Sequence, residues 1–487
     1  MASKTKAVKV TLPPAPGGWL EVGAAALAMG DQAAALHAYG EARRRSPLHP
    51  QVYVGLAAVL DAQGQGREAL AHRMAAMALG SRSALDLYNI ATAYLMAGHS
   101  ESAESWYRLT LQLDPDLVVA HRNLATLLRD TGRASEAQHH TDFAYGRQFV
   151  FDNDCATAQL TVWLICAGGR GNVPLELWFD HASTRRIEYF VEYVPDGGPT
   201  TPAQVLSMHG CPQPDLIFNA IGDPDVAAPV LAPLLAFVDA ARVPVLNSPR
   251  AVARTARDCL PQLLGGIDGL VTPPVTRITD EQEARACLAQ ARQPILIRPI
   301  ATHGGEGLVL VDADADTGAD TDAEAALAGI DWQSAPAFFV APYYDYRSAD
   351  GYFRKYRAIF IDGRPYPYHL AISSHWLVHY FSADMLGQAD KQAEEARFLS
   401  DAEAVLGARA CQALEAVGAR LELDYAGIDF ALLADGRILV FEANATMLVR
   451  REPPGSELAY KNAYIAALED AFRAMVQRRR SEAPPQI

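Results

Sequence analysis

Two different rhythms of apolar residues divide this chain. Through the first third, small and aliphatic residues return at three- and four-residue steps, as in residues 52–62 and 87–96, the spacing that lays one apolar stripe along a helix. Each such segment stops at a glycine and is followed by a second helical pattern, a signal for paired helices. The glycines recur at Gly30, Gly64, Gly98 and Gly132, and alanines at Ala35, Ala69, Ala103 and Ala137, both with a period of 34. A further register runs through Ala42, Ala76, Thr110 and Ala144, and Tyr39/Tyr107 and Pro47/Pro115 fall in matching phases. In such a unit glycine supplies the turn and alanine lets two helices approach closely.

From Gln159 the rhythm becomes one of short β-branched runs separated by turns and helices. Residues 160–167 predict a buried strand followed by Gly168-Gly169-Arg170-Gly171. Residues 215–219 predict a second strand, 226–240 a helix, and 243–246 a strand ending in Asn247-Ser248-Pro249. Strands alternating with helices imply a mainly parallel sheet that binds ligands at the strands' C-terminal ends, which makes Asn219, with Asp223 and Asp225, a candidate substrate contact. The glycine loop is not GxGxxG, so it does not predict a dinucleotide site.

Farther on, residues 293–310 read as a strand presenting Arg298, then His303-Gly304-Gly305-Glu306-Gly307, then another strand. Residues 337–340 form a strand leading to Tyr343-Tyr344-Asp345. A hairpin arm at 352–361 alternates Arg354, Lys355 and Arg357. Residues 428–433 and 438–442 form two strands joined by the turn Ala434-Asp435-Gly436-Arg437.

Composition narrows the class. Of 487 residues half are apolar, so the chain is globular, with room for about three domains. The net charge of −15 is uneven: residues 1–147 carry 14 Lys and Arg against 13 Asp and Glu, leaving 28 against 44 beyond them. An acidic body of this kind argues against nucleic acid as a partner. Six scattered cysteines without CxxC spacing predict reduced thiols. The N-terminus has no apolar signal segment, and no run is long enough to span a bilayer, so the expected location is cytoplasmic, without membrane contact.

The candidate chemistry is concentrated near the C-terminus. Asp429, Glu442 and Asn444 sit on paired strands whose alternation aims them at one face, and two carboxylates with a carboxamide are hard oxygen donors suited to Mg²⁺. Glycines at 304, 305 and 307 let backbone N–H groups close over phosphates, and Arg298 can grip a phosphate bidentately. His369, His375 and His379, with Tyr366 and Tyr368, are either ordinary polar residues of a strand pair or the lining of an acceptor pocket; no cysteine or carboxylate accompanies them to make a zinc site.

Two resemblances follow from these residues. Residues 19–150 resemble four tetratricopeptide repeats, which implies a concave surface for a peptide or protein partner, or else a module for packing or homodimerisation. Residues 159–475 resemble the ATP-grasp superfamily of carboxylate–amine ligases, in the style of glutathione synthetase and the RimK-like enzymes. The implied architecture is a multidomain chain, an all-α repeat solenoid followed by an α/β (α+β) ATP-grasp fold. It has a short N-terminal segment (1–18), the repeats (19–150), an N-terminal α/β domain (159–262), a central lid domain (263–345), a C-terminal domain (346–475) and a tail (476–487).

By that resemblance the cofactors are ATP and Mg²⁺, with Asp429, Glu442 and Asn444 on the metal. Arg257, with Arg254 as its rival for the place, Arg298, His303, Gly304, Gly305, Gly307, Tyr343, Tyr344 and Asp345 would lie on the nucleotide. Arg357, Lys355 and Arg298 would act on the transferred phosphate, and His369, His375 and Asn219 on the substrate. The implied reaction activates a carboxylate as an acyl phosphate and joins it to an amine. Two departures stand out: arginines replace both expected lysines, and the usual hinge glutamate is missing. These leave a phosphotransferase or a nucleotide-binding interaction protein as alternatives.

Overall fold

The computed structural model describes residues 16–80, 83–168, 173–302, 304–312, 323–380, 383 and 385–482. The chain forms two compact units, residues 1–148 and 149–487. The first is a series of four helical hairpins: α1 (Pro16–Ala28) with α2 (Gln32–Arg45), α3 (Pro50–Ala62) with α4 (Gly66–Ala78), α5 (Ala84–Met96) with α6 (Ser100–Leu113), and α7 (Val118–Asp130) with α8 (Ala134–Arg147). Gly30, Gly64, Gly98 and Gly132 each turn a hairpin at φ between +72° and +80°, a conformation that favours glycine. Ala35, Ala69, Ala103 and Ala137 are buried where the two helices of a pair meet. Tyr39 fills a slot opened by Gly23 and Gly55; a Cβ on Gly55 would stand 2.2 Å from its ring. Tyr107, two periods later, is instead held by polar groups: Asn123 Nδ2 donates to its hydroxyl at 3.0 Å, and Thr92 Oγ1 lies 3.0 Å away.

Among the described residues the second unit contains three sheets. The first comprises β1 (Val150–Asn153), β2 (Leu160–Cys166), β3 (Thr184–Phe190), β4 (Leu216–Asn219) and β5 (Val245–Leu246), in the order β1-β3-β2-β4-β5, parallel except for β1. Burial on both faces explains why β2 reads as an unbroken apolar run, Val162 to Ile165. The predicted helix over 226–240 is instead broken into Pro224–Ala227, a 3₁₀ turn at Ala228–Val230 and Leu231–Asp239. Pro229 lies in the 3₁₀ turn and lacks the N–H that a continuous helix needs there.

Next come β6 (Leu270–Val271), β7 (Thr276–Ile278), β8 (Ile295–Pro299), β9 (Val309–Val311) and β10 (Phe338–Pro342). Strands β7-β10-β8-β9 make an antiparallel sheet, with helices Glu281–Gln290 and Ala323–Ala328 packed on the face that carries Ile295, Ile297 and Phe338. The third sheet has the order β12-β11-β13-β14-β6, built from β11 (Phe353–Ile361), β12 (Arg364–Ser373), β13 (Tyr425–Leu432) and β14 (Ile438–Asn444). Thus β6, expected in the central domain, pairs with β14 instead. Two more expectations shift. The first sheet begins at Val150, and the predicted tail is helical through Glu482, because Val476 is buried and Arg479 pairs with Asp362 and Asp424. Among the described residues no disulfide joins the cysteines. No helix among the described residues is long and apolar enough to cross a membrane.

Asn247 ties the first sheet to the third. It is fully buried, sits at φ 56°, and donates from Nδ2 to the carbonyls of Tyr425 (2.9 Å) and Ala445 (3.2 Å). Its Oδ1 accepts from the Tyr425 N–H at 2.8 Å, and its own N–H donates to Asp424. One side chain therefore fixes the start of β13 and the exit of β14. Asn247→Ala leaves those buried groups unsatisfied and is expected to lower the unfolding free energy of the second unit by about 3 kcal/mol or more, read from its urea transition, without moving that of the repeats.

Candidate functional site

The second sheet aims alternate residues away from its helices, and those residues line a cavity of about 450 Å³ shared with the third sheet. Leu296, Arg298, Phe339 and Ala341 come from β8 and β10; Lys355 and Arg357 come from β11; Asp429, Glu442 and Asn444 come from β13 and β14. Strand register makes the arrangement. Arg357 pairs with Asp429 across β11 and β13, and Asp429 with Glu442 across β13 and β14. Directly opposed residues have Cβ atoms about 5 Å apart. A register shift beside Asp429 leaves Phe441 as an extra residue, so Phe441 and Glu442 both line the cavity. Gly427, opposite Asn444, leaves room for Met447, which would meet a Cβ at 2.7 Å.

The charges are closely matched. Arg357 donates from Nε and Nη2 to the two oxygens of Asp429 at 2.6 and 3.0 Å, and Lys355 Nζ lies 2.9 Å from Asp429 Oδ2. Arg257 donates to Glu442 Oε2. Burial alone would raise both carboxyls, yet Arg357 and Lys355 hold Asp429 well below the usual range. Arg257, with Arg298 and Lys355, likewise brings Glu442 down to about 2. Arg298 itself is brought down to about 10 by burial and by repulsion from Arg257. It donates from Nη2 to Thr302 Oγ1 at 3.0 Å, while its buried Nε has no hydrogen-bond partner among the described residues.

Among the lining residues four cations face two carboxylates. The excess of positive charge and the orphaned Arg298 donor suit an anion of high charge. Among the described residues no three His, Cys, Asp or Glu side chains come together as a metal cluster. The available donors are therefore two carboxylates with Asn444, whose chemistry fits a hard divalent cation.

Some predicted residues stand elsewhere. Tyr343 and Tyr344 line the cavity, but the exposed Asp345 turns to Arg347, whose Nη2 donates to it at 3.1 Å. Gly304 and Gly305 line it, at φ 62° and 83°, whereas Gly307 packs on Pro299; His303 lies outside the described residues. Arg254 turns away to Glu422, leaving Arg257 at the site.

The three substrate candidates do not line the cavity. Asn219 is fully buried and donates to the Asn247 carbonyl at 3.1 Å, which makes it a structural residue. His369 is buried and stacked on Tyr380 at 4.5 Å, and His375 is exposed on the turn after β12. His379 is the histidine that lines the cavity, its Nε2 3.2 Å from where a Cβ on Gly304 would sit; burial, Lys355 and Arg357 lower its pKa. Trp376 beside it meets Tyr343 edge-on at 5.8 Å, and its carbonyl accepts from Tyr346. The spacing of the three histidines could not single out His379, because a turn between Ser373 and Tyr380 breaks the strand alternation.

No protein-family model matches the chain, and no curated protein matches it. Solved structures similar to part of it include the MamA protein, at 17% identity over 27% of this chain and 71% of that one, TM-score 0.26. YrrB, described as a tetratricopeptide protein with an unusual peptide-binding site, aligns at 15% over 27% and 68%, TM-score 0.26. A thermophilic tetratricopeptide protein from Thermus thermophilus aligns at 22% over 28% and 75%, TM-score 0.25. The N-terminal unit of this chain is itself a tetratricopeptide-like array, as its four hairpins and 34-residue period show.

The depressed carboxyls set a pH dependence. A group whose folded pKa lies below its unfolded value adds stability above the ordinary carboxylate range and loses it as pH falls. The stability difference between the protein and Glu442→Gln is therefore expected to be largest near neutral pH and to shrink toward zero as pH approaches about 2, followed by circular dichroism across an acid titration.

Proposed function

We propose that the second unit is an ATP-dependent ligase of the ATP-grasp kind, which activates a carboxylate as an acyl phosphate and joins it to an amine, and that the repeats recruit its peptide or protein substrate. The observation that carries this reading is the set of four cations and two carboxylates in one cavity, with the buried Arg298 Nε lacking a partner among the described residues. A nucleoside triphosphate holding one divalent ion has net negative charge, the complement of that lining.

Each part of the cavity supports a role in that reading. Leu296, Phe339, Tyr343 and Tyr344 offer an apolar, aromatic wall for a base. Arg298, on a strand below the glycine turn, would grip phosphate oxygens. Arg357 and Lys355, side by side in space, would offset charge that develops during phosphoryl transfer. Asp429, Glu442 and Asn444 would hold Mg²⁺, which supplies charge neutralisation between phosphates. Gly304 and Gly305 pack against His379 and Leu377, closing one side of the cavity, as exclusion of water from an acyl phosphate requires.

Calorimetry with Mg·ATP tests the binding half. Arg298→Ala should weaken binding by about 10- to 100-fold, the span expected when a hydrogen bond to a charged group is lost; an unchanged affinity would sink the assignment. Release of ADP and phosphate that requires both a carboxylate and an amine tests the ligase half. A stable phosphorylated product would favour a phosphotransferase, and binding without turnover an interaction protein. Removing residues 1–148 should leave nucleotide affinity within about twofold while abolishing turnover of a peptide substrate. Equal turnover without the repeats would show that they are not the recruiting element.

A further inference from the structure

The cations best placed to hold phosphate are already engaged by the carboxylates best placed to hold a metal. Lys355 and Arg357 both lie on Asp429, and Arg257 lies on Glu442. Asp429 is almost wholly buried, Glu442 is 14% exposed, and the side chains of the three cations are each 17% exposed, so these charges have little bulk water to turn to when a partner is taken.

A bare divalent ion entering the site would occupy Asp429 and Glu442 and leave three cations crowded around it. A metal-free polyphosphate would draw those cations off and leave the buried Asp429 and the largely buried Glu442 facing phosphate oxygens. Either arrival strands buried charge, which is strongly unfavourable. Together they exchange partners, with carboxylates to the ion and cations to the phosphates, and no buried charge is left alone.

We infer that this cavity accepts a divalent ion and a polyphosphate only as one unit, and that Lys355, Arg357 and Arg257 enforce this by occupying the metal's carboxylates in the ligand-free protein. The inference rests on the nucleotide-binding reading above and deepens it. It assigns these three residues a second role, excluding the bare ion as well as gripping phosphate. Arg298 stands apart: it donates to Thr302, so its guanidinium is available to the phosphates without breaking an ion pair. By linkage the coupling is reciprocal, each ligand raising the affinity for the other by the same factor.

The test uses the full chain, Mn²⁺ followed by electron paramagnetic resonance, and the β,γ-imido analogue of ATP followed by calorimetry, with Mn²⁺ or with EDTA. In the unaltered protein, Mn²⁺ alone and the analogue in EDTA are each expected to bind at least about 30-fold more weakly than the two together, within the usual range of coupling. Asp429→Asn releases Lys355 and Arg357 and is expected to tighten the metal-free analogue by about fivefold while weakening the metal complex. Lys355→Met is expected to do the reverse, tightening bare Mn²⁺ by about fivefold and weakening the metal-free analogue.

Mn²⁺ binding the unaltered protein equally well with and without the analogue would overturn the inference. So would an Asp429→Asn protein, folded by circular dichroism, whose affinity for the metal-free analogue is unchanged or reduced. Should Asp429→Asn fail to fold, the Lys355→Met result decides alone. Absence of any binding of the Mn²⁺–analogue pair would remove the nucleotide reading and this inference together, whereas binding of the pair without these opposite shifts removes only the inference.

Discussion

Three adjacent strands carry Arg357, Asp429 and Glu442 side by side, and the second unit is organised around keeping that row in register. Ionised groups removed from water must be paired, and a slip of one residue along β13 would turn Asp429 into the opposite, apolar face and strand its two cations. The apolar side of the same sheet enforces the register. Tyr356, Ile428 and Phe430 pack into the core around helices Ala389–Ser400 and Ala408–Leu421, so hydrophobic burial and charge pairing select one alignment. Asn247 adds a third constraint from outside the sheet, fixing the backbone where β13 begins and β14 ends.

This explains why much of the charged row was legible in the sequence while its surroundings were not. Strand period two and an Asp-Gly turn set the two strands side by side, but an unbroken ladder would oppose Asp429 to Phe441; the bulge at Phe441, which the alternation does not encode, brings Glu442 to the same face. The alternation of Arg354, Lys355 and Arg357 sorts those three directly. Lys355 and Arg357 go to the cavity, and Arg354 goes to Asp350 and Glu394 on the other side. The hairpin repeats were legible for a similar reason, since a glycine with positive φ and an alanine at a helix crossing are demands of the backbone that recur with each unit.

Other features depended on tertiary contacts that no local pattern encodes. Asn219 ends a parallel strand where ligands commonly bind, yet its amide is consumed by Asn247, a partner 28 residues away. His369 faces the cavity side of its sheet beside Arg357, but Tyr380 stacks over it. His379 reaches the site from a turn, where periodicity says nothing about direction. Asp345 follows two cavity-lining tyrosines and still turns outward, because an exposed Arg347 two residues on offers it a counter-charge. The edge strand β6 pairs with a strand more than 150 residues later in the chain.

The helical unit carries its own kind of individuality. Tyr39 and Tyr107 occupy equivalent places in the first and third hairpins, but the first needs the bare backbone of Gly23 and Gly55, whereas the corresponding positions around the second hold Ala91 and Asn123. Hairpins that share a period are thus not interchangeable bricks. Shuffling their order would drive one tyrosine into methyl and amide groups and leave the other over a groove without its hydrogen-bonding clasp, so their sequence of assembly is written into two aromatic side chains.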